Sequence, residues 1–315
     1  MSIENFWNVD CCIILSTMFS KQLKFLKENN LFRAIKNRNS SQGSRIIIDR
    51  KEYINFSSND YLGLANHPAL IRASQQAMKK FGFGSGASRL LCGGSILHEE
   101  LEKKIARFKG TESALVFNSG YAANTGIIPA IAEEGDAIFS DELNHASIVD
   151  GCRLSRARTY IYKHKDTANL ENLIRKTKAK RKIVVTDSVF SMDGDIAHLK
   201  ELYNICLALT TERRTGQTRR SAPTPKGRNY LTAANCILYI DDAHATGVLG
   251  KGRGSLEHFG IKPEPWIIQM GTFSKALGSF GAFVAGSKDT IEFILNTARS
   301  FIFSTALPPC IIAAS

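Results

Sequence analysis

Lys275 stands in the segment GTFSKALGSFGAFVAG (271–286), directly after an apolar run and among small residues. A lysine after a strand is most often a surface charge. Here the small neighbours could leave the amine partly desolvated, and desolvation lowers the pKa of an amine, as Schiff-base chemistry requires. Thr272 and Ser274 offer hydroxyls nearby for a phosphate. The segment therefore predicts a reactive amine beside a phosphate site.

A second segment, LYIDDAHATGVLG (238–250), carries Asp241, Asp242 and His244 at the end of an apolar run. Two acids and a histidine could bind a metal ion, although no second group of His or Cys completes such a site. The alternative is a carboxylate at the ring nitrogen of a pyridine cofactor, with His244 against its phenolic oxygen. That carboxylate would favour the protonated ring by about one to three pKa units, which makes the ring an electron sink. We favour the cofactor and expect no metal.

Two further segments are weaker evidence when each is taken alone. FNSGYAANTG (117–126) is a glycine turn between an apolar run and a helical pattern, and backbone N–H groups at the start of a helix bind phosphate. SDELNHASIVDG (140–151) places His145 after another apolar run. A lone histidine is more often structural, but its ring can also stack on a flat cofactor.

Short apolar strands that alternate with amphipathic helices position these segments. Such runs predict an α/β fold with a largely parallel sheet covered on both faces, and ligands gather at the carboxyl ends of its strands. The predicted strands are Ala114–Phe117, Ala137–Phe139, Thr159–Tyr162, Ile183–Thr186, Cys236–Ile240, Trp266–Met270 and Ala282–Ala285. Helices are predicted over 20–36 and Pro68–Phe81, and an exposed loop insertion over 211–229.

Composition argues for an ordinary globular protein. Of 315 residues, 43% are hydrophobic and 22% are charged. The net charge of +12 comes largely from two runs, 175–182 and 213–228, which lack interleaved aromatics and predict a solvated basic face rather than nucleic-acid binding. The seven cysteines form no C-x-x-C pair, which favours a reducing, cytoplasmic compartment. The apolar stretch at 11–19 is too short to cross a bilayer, and we expect Met18 to be the natural start.

Taken in order, eight segments resemble the α-oxoamine synthases, a family of fold-type-I pyridoxal-phosphate (PLP) enzymes. The resemblance runs from about residue 20 to the last residue and is interrupted at 211–229. The segments are NFSSNDYLGL, GSGASRL, NSGYAANTG, DELNHASIVDG, TDSVFSMDGD, IDDAHATGVLG, TFSKALGSFGAFVAG and FIFSTALPP. Members of the family condense an amino acid with an acyl thioester and lose carbon dioxide.

Within the family, GASRLLCG, TFSKALGSFGAFVAG and FIFSTALPP resemble most the branch that joins L-alanine to pimeloyl-CoA, or to a pimeloyl carrier protein, in biotin synthesis. The alternatives are enzymes of the glycine C-acetyltransferase, 5-aminolevulinate synthase or serine palmitoyltransferase type. A non-catalytic homologue is a further alternative, because the family continues beyond STALPP into a small C-terminal domain that contributes an arginine for the amino-acid carboxylate.

The resemblance implies a role for each matched residue. Lys275 would form the internal aldimine and move protons, Asp241 would pair with the pyridine nitrogen, and His145 would stack on the ring and contact substrate. The other cofactor residues implied are His244 and Ser191 at the phenolic oxygen, Gly120, Tyr121 and Thr272 at the phosphate, and Ser304 and Thr305 at a phosphate across a homodimer interface. Arg33 and Asn59 match positions near the substrates.

The same resemblance divides the chain into three parts. Residues 1–60 form an N-terminal helix and extended segment, 61–300 form the large PLP-binding domain, and 301–315 begin a C-terminal domain.

Overall fold

The computed structural model describes residues 18–216 and 236–315, with the backbone alone at 211–216. Two compact units divide the described chain: one takes 18–41 and 45–54, and the other takes 42–44 and 55–315. Cys11 and Cys12 lie outside the described residues, as do residues 217–229 of the predicted insertion. Residues 211–216 of that insertion continue a helix.

The smaller unit contains helix α1 (Ser20–Glu28) and a hairpin of strands β1 (Arg45–Ile48) and β2 (Lys51–Ile54). Asp49 and Arg50 form its two-residue turn with φ of 49° and 63°, which matches the twist of the hairpin. The predicted helix over 20–36 is wrong in extent. Asn30 adopts a left-handed φ of 56°, and the Leu31 amide bonds back to the Leu26 carbonyl, so the chain leaves the helix there.

The larger unit is built around one sheet. Its described elements are α2 (Pro68–Phe81), α3 (Ile96–Lys109), β3 (Ser113–Phe117), α4 (Gly120–Ile131), β4 (Ala137–Asp141), α5 (Ala146–Leu154), β5 (Arg158–Tyr162), α6 (Thr167–Lys176), β6 (Lys182–Asp187), α7 (Leu199–Gly216), β7 (Cys236–Asp241), α8 (Ser255–Phe259), β8 (Ile267–Thr272), β9 (Ala282–Gly286), α9 (Lys288–Thr297), α10 (Arg299–Ile302) and α11 (Pro309–Ala314).

Seven of the described strands form that sheet in the order β3-β9-β8-β7-β6-β4-β5. Six are parallel to one another, and β9 runs antiparallel to both of its neighbours. The prediction of a mainly parallel seven-stranded sheet is therefore confirmed. Each predicted strand begins and ends within two residues of an observed one.

Hydrophobic side chains cover both faces of the sheet, because successive strand residues point to opposite faces. On β6, Ile183 and Val185 pack with α4 and α5, while Val184 between them packs with α6 and α7. This two-sided burial explains why the strands read as continuous apolar runs.

Local sequence signals set the ends of the helices that flank the Gly-rich segment. The predicted helix Pro68–Phe81 has the observed bounds: His67 accepts a hydrogen bond from the Ala69 amide, Pro68 opens the first turn, and Gly82 ends the helix. At the start of α3, Ser95 and His98 form a reciprocal capping box.

The basic run at 175–182 lies at the amino end of β6, and part of it is used to hold loops. Lys180 donates to the Glu134 carbonyl at 3.0 Å, and Lys182 donates to the Ile174 carbonyl at 2.8 Å. The amino end of β6 is the edge opposite the strand ends considered below, so this run is remote from them. Within the described residues, no helix is long and apolar enough to cross a bilayer.

Candidate active site

The carboxyl ends of the parallel strands meet at one edge of the sheet, and the residues singled out from the sequence follow them. Gly120 begins the helix after β3, His145 precedes the helix after β4, Asp241 ends β7, and Lys275 follows β8. The fold thus brings separate segments to the edge where α/β sheets bind ligands.

Asp241 is a buried carboxylate held by a small hydrogen-bond network. Asn124 Nδ2 donates to its Oδ2 at 2.8 Å, and the Ala243 amide donates to its Oδ1 at 3.0 Å. Tyr239 fixes Asn124 in turn, with its hydroxyl 2.6 Å from the amide oxygen. Burial raises the pKa of Asp241, while the bond from Asn124 and the charge of Lys275 oppose that rise.

Asp187 is a second buried carboxylate, in register with Asp241 on the neighbouring strand. Its Oδ2 accepts a hydrogen bond from the His145 amide at 2.6 Å. Burial, followed by the charge of Asp241, raises the pKa of Asp187 well above the ordinary value for an aspartate. The charges of Asp187, Asp241 and Lys275 therefore shift one another's pKa values.

His145 lies at the amino end of α5 and caps it. Its Nδ1 accepts from the Ser147 amide at 3.2 Å and lies 2.7 Å from the Ser147 hydroxyl. The residue is exposed, so the cap fixes the ring while leaving it accessible. Stacking of this ring on a cofactor stays a prediction.

Lys275 stands in a tight turn after β8, closed by a hydrogen bond of 2.9 Å from the Gly278 amide to the Lys275 carbonyl. Gly278 has a φ of 65°, and a Cβ there would lie 2.4 Å from the Leu64 backbone, so glycine is required on both counts. Burial lowers the pKa of the Lys275 amine, and the charges of Asp241 and Asp187 oppose the shift. The amine is therefore more available in its neutral form than a surface lysine would be.

Thr272 carries a buried hydroxyl that has no hydrogen-bond partner among the described residues. The first residue of α4 approaches it so closely that a Cβ on Gly120 would lie 3.0 Å from Thr272 Cγ2. An unpaired buried hydroxyl is unfavourable, and this one lies beside the amino end of α4, where N–H groups favour an anion. The donor set fits a phosphate. The Tyr121 side chain is exposed and donates to Asp150.

His244 is held by Tyr61, whose hydroxyl lies 2.7 Å from His244 Nδ1 and also donates to Asn59 Oδ1 at 3.2 Å. Burial and the charge of Lys275 lower the pKa of His244 to about 4. The ring is therefore neutral at pH 7 and can offer one N–H donor.

For the remaining predicted site residues, the structure gives the position in the fold but no contact that tests the predicted role. Ser191 lies in the exposed segment that follows β6. Thr305 follows α10; its carbonyl accepts from Asn118 Nδ2 at 2.8 Å, which ties Ser304 and Thr305 to the loop after β3 of the same chain. Arg33 belongs to the smaller unit and is exposed. The roles inferred for these four residues stay predictions.

The acids of the IDDAH segment diverge instead of sharing a ligand. Asp242 forms an ion pair of 2.7 Å with Lys109, whereas Asp241 binds Asn124 and His244 binds Tyr61. No group of three or more His, Cys, Asp or Glu side chains in the described ranges is placed to bind a metal ion.

Sequence reasoning missed Asn124, Asp187 and Tyr61. A signal existed for two of them: Asn124 lies one helical turn after Gly120, and Asp187 ends its strand in register with Asp241. Nothing in the spacing of Tyr61 points to His244.

The family model for aminotransferase class I and II matches residues 51–213 and 228–315. The chain belongs to this family. Among relatives of this aminotransferase-family chain is the 8-amino-7-oxononanoate synthase of Geobacter metallireducens, 52% identical over 303 residues, covering 96% of this chain and 71% of the relative. The enzyme of the same name from Geobacter sulfurreducens is 50% identical over 296 residues, covering 93% of this chain and 69% of the relative.

A solved structure shows the same fold. Serine palmitoyltransferase from S. paucimobilis, with a bound PLP–myriocin aldimine, superposes on the aminotransferase-family chain with a TM-score of 0.78 and 29% identity. The match covers 96% of this chain and 71% of the other.

Proposed function

We propose that this protein binds pyridoxal 5′-phosphate at Lys275 and is an 8-amino-7-oxononanoate synthase of biotin synthesis. It would join L-alanine to pimeloyl-CoA, or to a pimeloyl carrier protein, with loss of carbon dioxide. The names of the relatives support this activity, and the serine palmitoyltransferase with bound PLP supports the cofactor.

One observation carries the proposal: a desolvated lysine amine, a buried acid and an unpaired buried hydroxyl lie at one edge of the sheet. Lys275, Asp241 and Thr272 offer what PLP requires, namely an amine for its aldehyde, an anion for its ring nitrogen and a donor for its phosphate. The bond from Asn124 keeps one oxygen of Asp241 occupied and so fixes the orientation of the carboxylate.

Other residues would complete the cofactor site. Backbone amides of Gly120 and Tyr121 would join Thr272 at the phosphate, and His145 would lie against the ring. His244 and Ser191 would contact the phenolic oxygen, with Tyr61 holding His244. Ser304 and Thr305 would serve the partner's site in a homodimer, and Arg33 and Asn59 would contact the substrates.

When bound, PLP supplies a ring that accepts the electron pair released at the substrate carbon next to nitrogen. The chain supplies proton transfer and orientation. With its lowered pKa, the Lys275 amine can take a proton from that carbon and return one later. Asp241 would place its carboxyl group at the ring nitrogen, and the neutral His244 would contact the phenolic oxygen without adding a positive charge.

Cofactor attachment is tested first. The protein is incubated with PLP, reduced with borohydride, digested and analysed by mass spectrometry, alongside Lys275→Ala and the exposed-lysine control Lys251→Asn. We expect one pyridoxyl group on Lys275 in the wild type and in the control, and none at that position in Lys275→Ala. Attachment distributed over surface lysines would reject the site.

Substrate choice is tested next by release of free thiol from acyl-CoA. L-alanine, glycine, serine and threonine are each paired with pimeloyl-CoA, acetyl-CoA, succinyl-CoA and palmitoyl-CoA. Release with L-alanine and pimeloyl-CoA supports the proposal, and a different preferred pair would move the chain to another branch of the family. PLP attachment without thiol release from any of these pairs, or from L-alanine with a pimeloyl carrier protein, would indicate a non-catalytic homologue.

A further inference from the structure

His164 bridges two acidic side chains from different parts of the sheet edge. Its Nδ1 lies 2.9 Å from Asp141 Oδ1, and its Nε2 lies 3.0 Å from Asp195 Oδ2. The ring packs against Phe190 in a T-shaped contact, with the two ring centroids 4.4 Å apart at an interplanar angle of 87°. Because both nitrogens face carboxylates, the doubly protonated ring satisfies both contacts at once.

Asp141 organises the turn that leads to His145. Besides His164, it accepts from the Leu143 amide at 2.9 Å and from the Lys165 amide at 3.0 Å. The side chain is 2% exposed. A shift of this carboxylate would therefore move the start of the turn that ends at His145.

Asp195 organises the segment that carries Ser191. Its carbonyl accepts from the Phe190 amide at 2.9 Å, and a β-bridge joins Val189 to Ile196. Lys165 Nζ donates to the same carboxylate oxygen as His164, at 2.9 Å. His164 and Lys165 thus attach the 188–196 segment to the 141–145 turn.

We propose that His164, assisted by Lys165, is a positioning residue that fixes the 141–145 turn and the 188–196 segment to each other. It thereby sets the positions of His145 and Ser191. The inference rests on the proposed function, since those two residues matter only if they contact the cofactor. His164 acts through Asp141, Asp195 and its neighbours Glu142 and Phe190, and within the described residues no hydrogen bond or ring contact joins it directly to His145 or Ser191.

The charges around His164 favour its protonated form. Asp141 and Asp195 face the ring, Glu142 accepts from its backbone amide at 2.8 Å, and Lys165 is the positive neighbour. Burial lowers the pKa of His164, but the hydrogen bonds and charges of the two aspartates outweigh it, so the pKa lies above the ordinary value. A raised pKa means that the bridge is complete below about 6.5 and is lost as the pH rises through the folded-state value.

Hydrogen exchange of the cofactor-free protein, followed by mass spectrometry, tests the bridge without any catalytic readout. The amide of Gln at position 164 cannot donate in two opposite directions, so His164→Gln should speed exchange about tenfold in 141–147 and 188–196. Peptides from α2 (68–81) should keep the wild-type rate. The exposed His198→Gln is the matched control and should behave as wild type.

A milder variant covers the case in which His164→Gln does not fold. Lys165 has a φ of 57°, and asparagine tolerates that conformation, so Lys165→Asn removes the ammonium without straining the backbone. It should speed exchange in 188–196 more than in 141–147. If hydrogen exchange in α2 speeds up equally, the effect is general instability and the proposal is overturned. Unchanged exchange in both segments would also overturn it.

PLP titration by absorbance then separates the two levels of inference. We expect the dissociation constant of PLP to rise about tenfold in His164→Gln. A change of this size corresponds to the binding free energy of one favourable contact. The difference from wild type should shrink as the pH rises above the His164 pKa measured by NMR. Faster exchange with an unchanged PLP constant would refute the positioning role. A wild-type protein that binds no PLP would instead refute the proposed function, and the positioning role with it.

Discussion

The buried ion pair of Lys109 and Asp242 gives the sharpest stability prediction. The two side chains are 0% and 1% exposed, and Lys109 Nζ lies 2.7 Å from Asp242 Oδ2 and 2.6 Å from the Arg253 carbonyl. In Lys109→Met the ammonium is lost, and Asp242 keeps only neutral donors. The best placed are the Ser188 hydroxyl at 2.8 Å and the Ser255 amide at 3.1 Å.

Removing one partner of a buried pair costs about 3–5 kcal/mol. Because neutral donors remain around Asp242, we expect Lys109→Met to lie near the lower end, about 3 kcal/mol. Asp242→Asn should cost a similar amount, since it leaves a buried ammonium. The double variant removes both charges, and it should cost at least about 1 kcal/mol less than the sum of the two single variants.

Urea unfolding at pH 7, followed by far-ultraviolet circular dichroism, measures these free energies by linear extrapolation. Lys103→Met is the matched control, because Lys103 and Glu99 form an ion pair whose side chains are 64% and 56% exposed. It should leave the free energy of unfolding unchanged within experimental error. A loss below about 1 kcal/mol in Lys109→Met, or strict additivity in the double variant, would refute the assignment of a strong buried pair.

Three further predictions concern other buried residues. Gly254→Ala should destabilise the protein severely, because φ at this position is 106° and the new Cβ would lie 1.8 Å from an Asp242 oxygen. Thermal unfolding should therefore show a large fall in Tm. A Tm equal to that of the wild type would contradict this prediction. Asn124→Ala should lower the free energy of unfolding, measured in urea, by about 1–3 kcal/mol, because it leaves the buried Tyr239 hydroxyl unpaired. An unchanged free energy would mean that water replaces the lost amide. Burial, followed by the charge of Arg89, lowers the pKa of His98 to about 4. The free energy of unfolding should therefore fall as the pH drops from about 6.5 towards 4, by up to about 1.4 kcal/mol per pH unit. His98→Gln should flatten that slope, and an equally steep slope in the variant would assign it to other groups.

The strands and the strand-end residues could be predicted because burial on both faces leaves a direct trace in the sequence. Short apolar runs located the strands, and the polar residues after them located Lys275 and Asp241. The lengths of the helices were harder to predict from the sequence. The apolar spacing continues past Glu28, but the helix does not. Asparagine tolerates a left-handed φ, and the backbone of Asn30 adopts one and leaves the helix.

Pairings between distant segments could not be predicted, since a sequence states which residue types exist but not which ones meet. Nothing in the sequence around Lys109 distinguishes it from a surface lysine, yet it lies fully buried against Asp242. His164 in YKHKD has no apolar periodicity or glycine turn beside it to indicate its two carboxylate partners. Such contacts depend on which strand ends become neighbours in the sheet.

The antiparallel strand β9 has a consequence for synthesis on the ribosome. β3 (113–117) forms its ladder with β9 (282–286), which leaves the ribosome much later. Until then, Leu115 and Phe117 belong to a strand whose backbone groups have no sheet partner, in a nascent chain that lengthens by about 5–20 residues per second. A chain that stalls before residue 282 would present an open strand edge, the kind of surface that recruits chaperones or a second nascent chain.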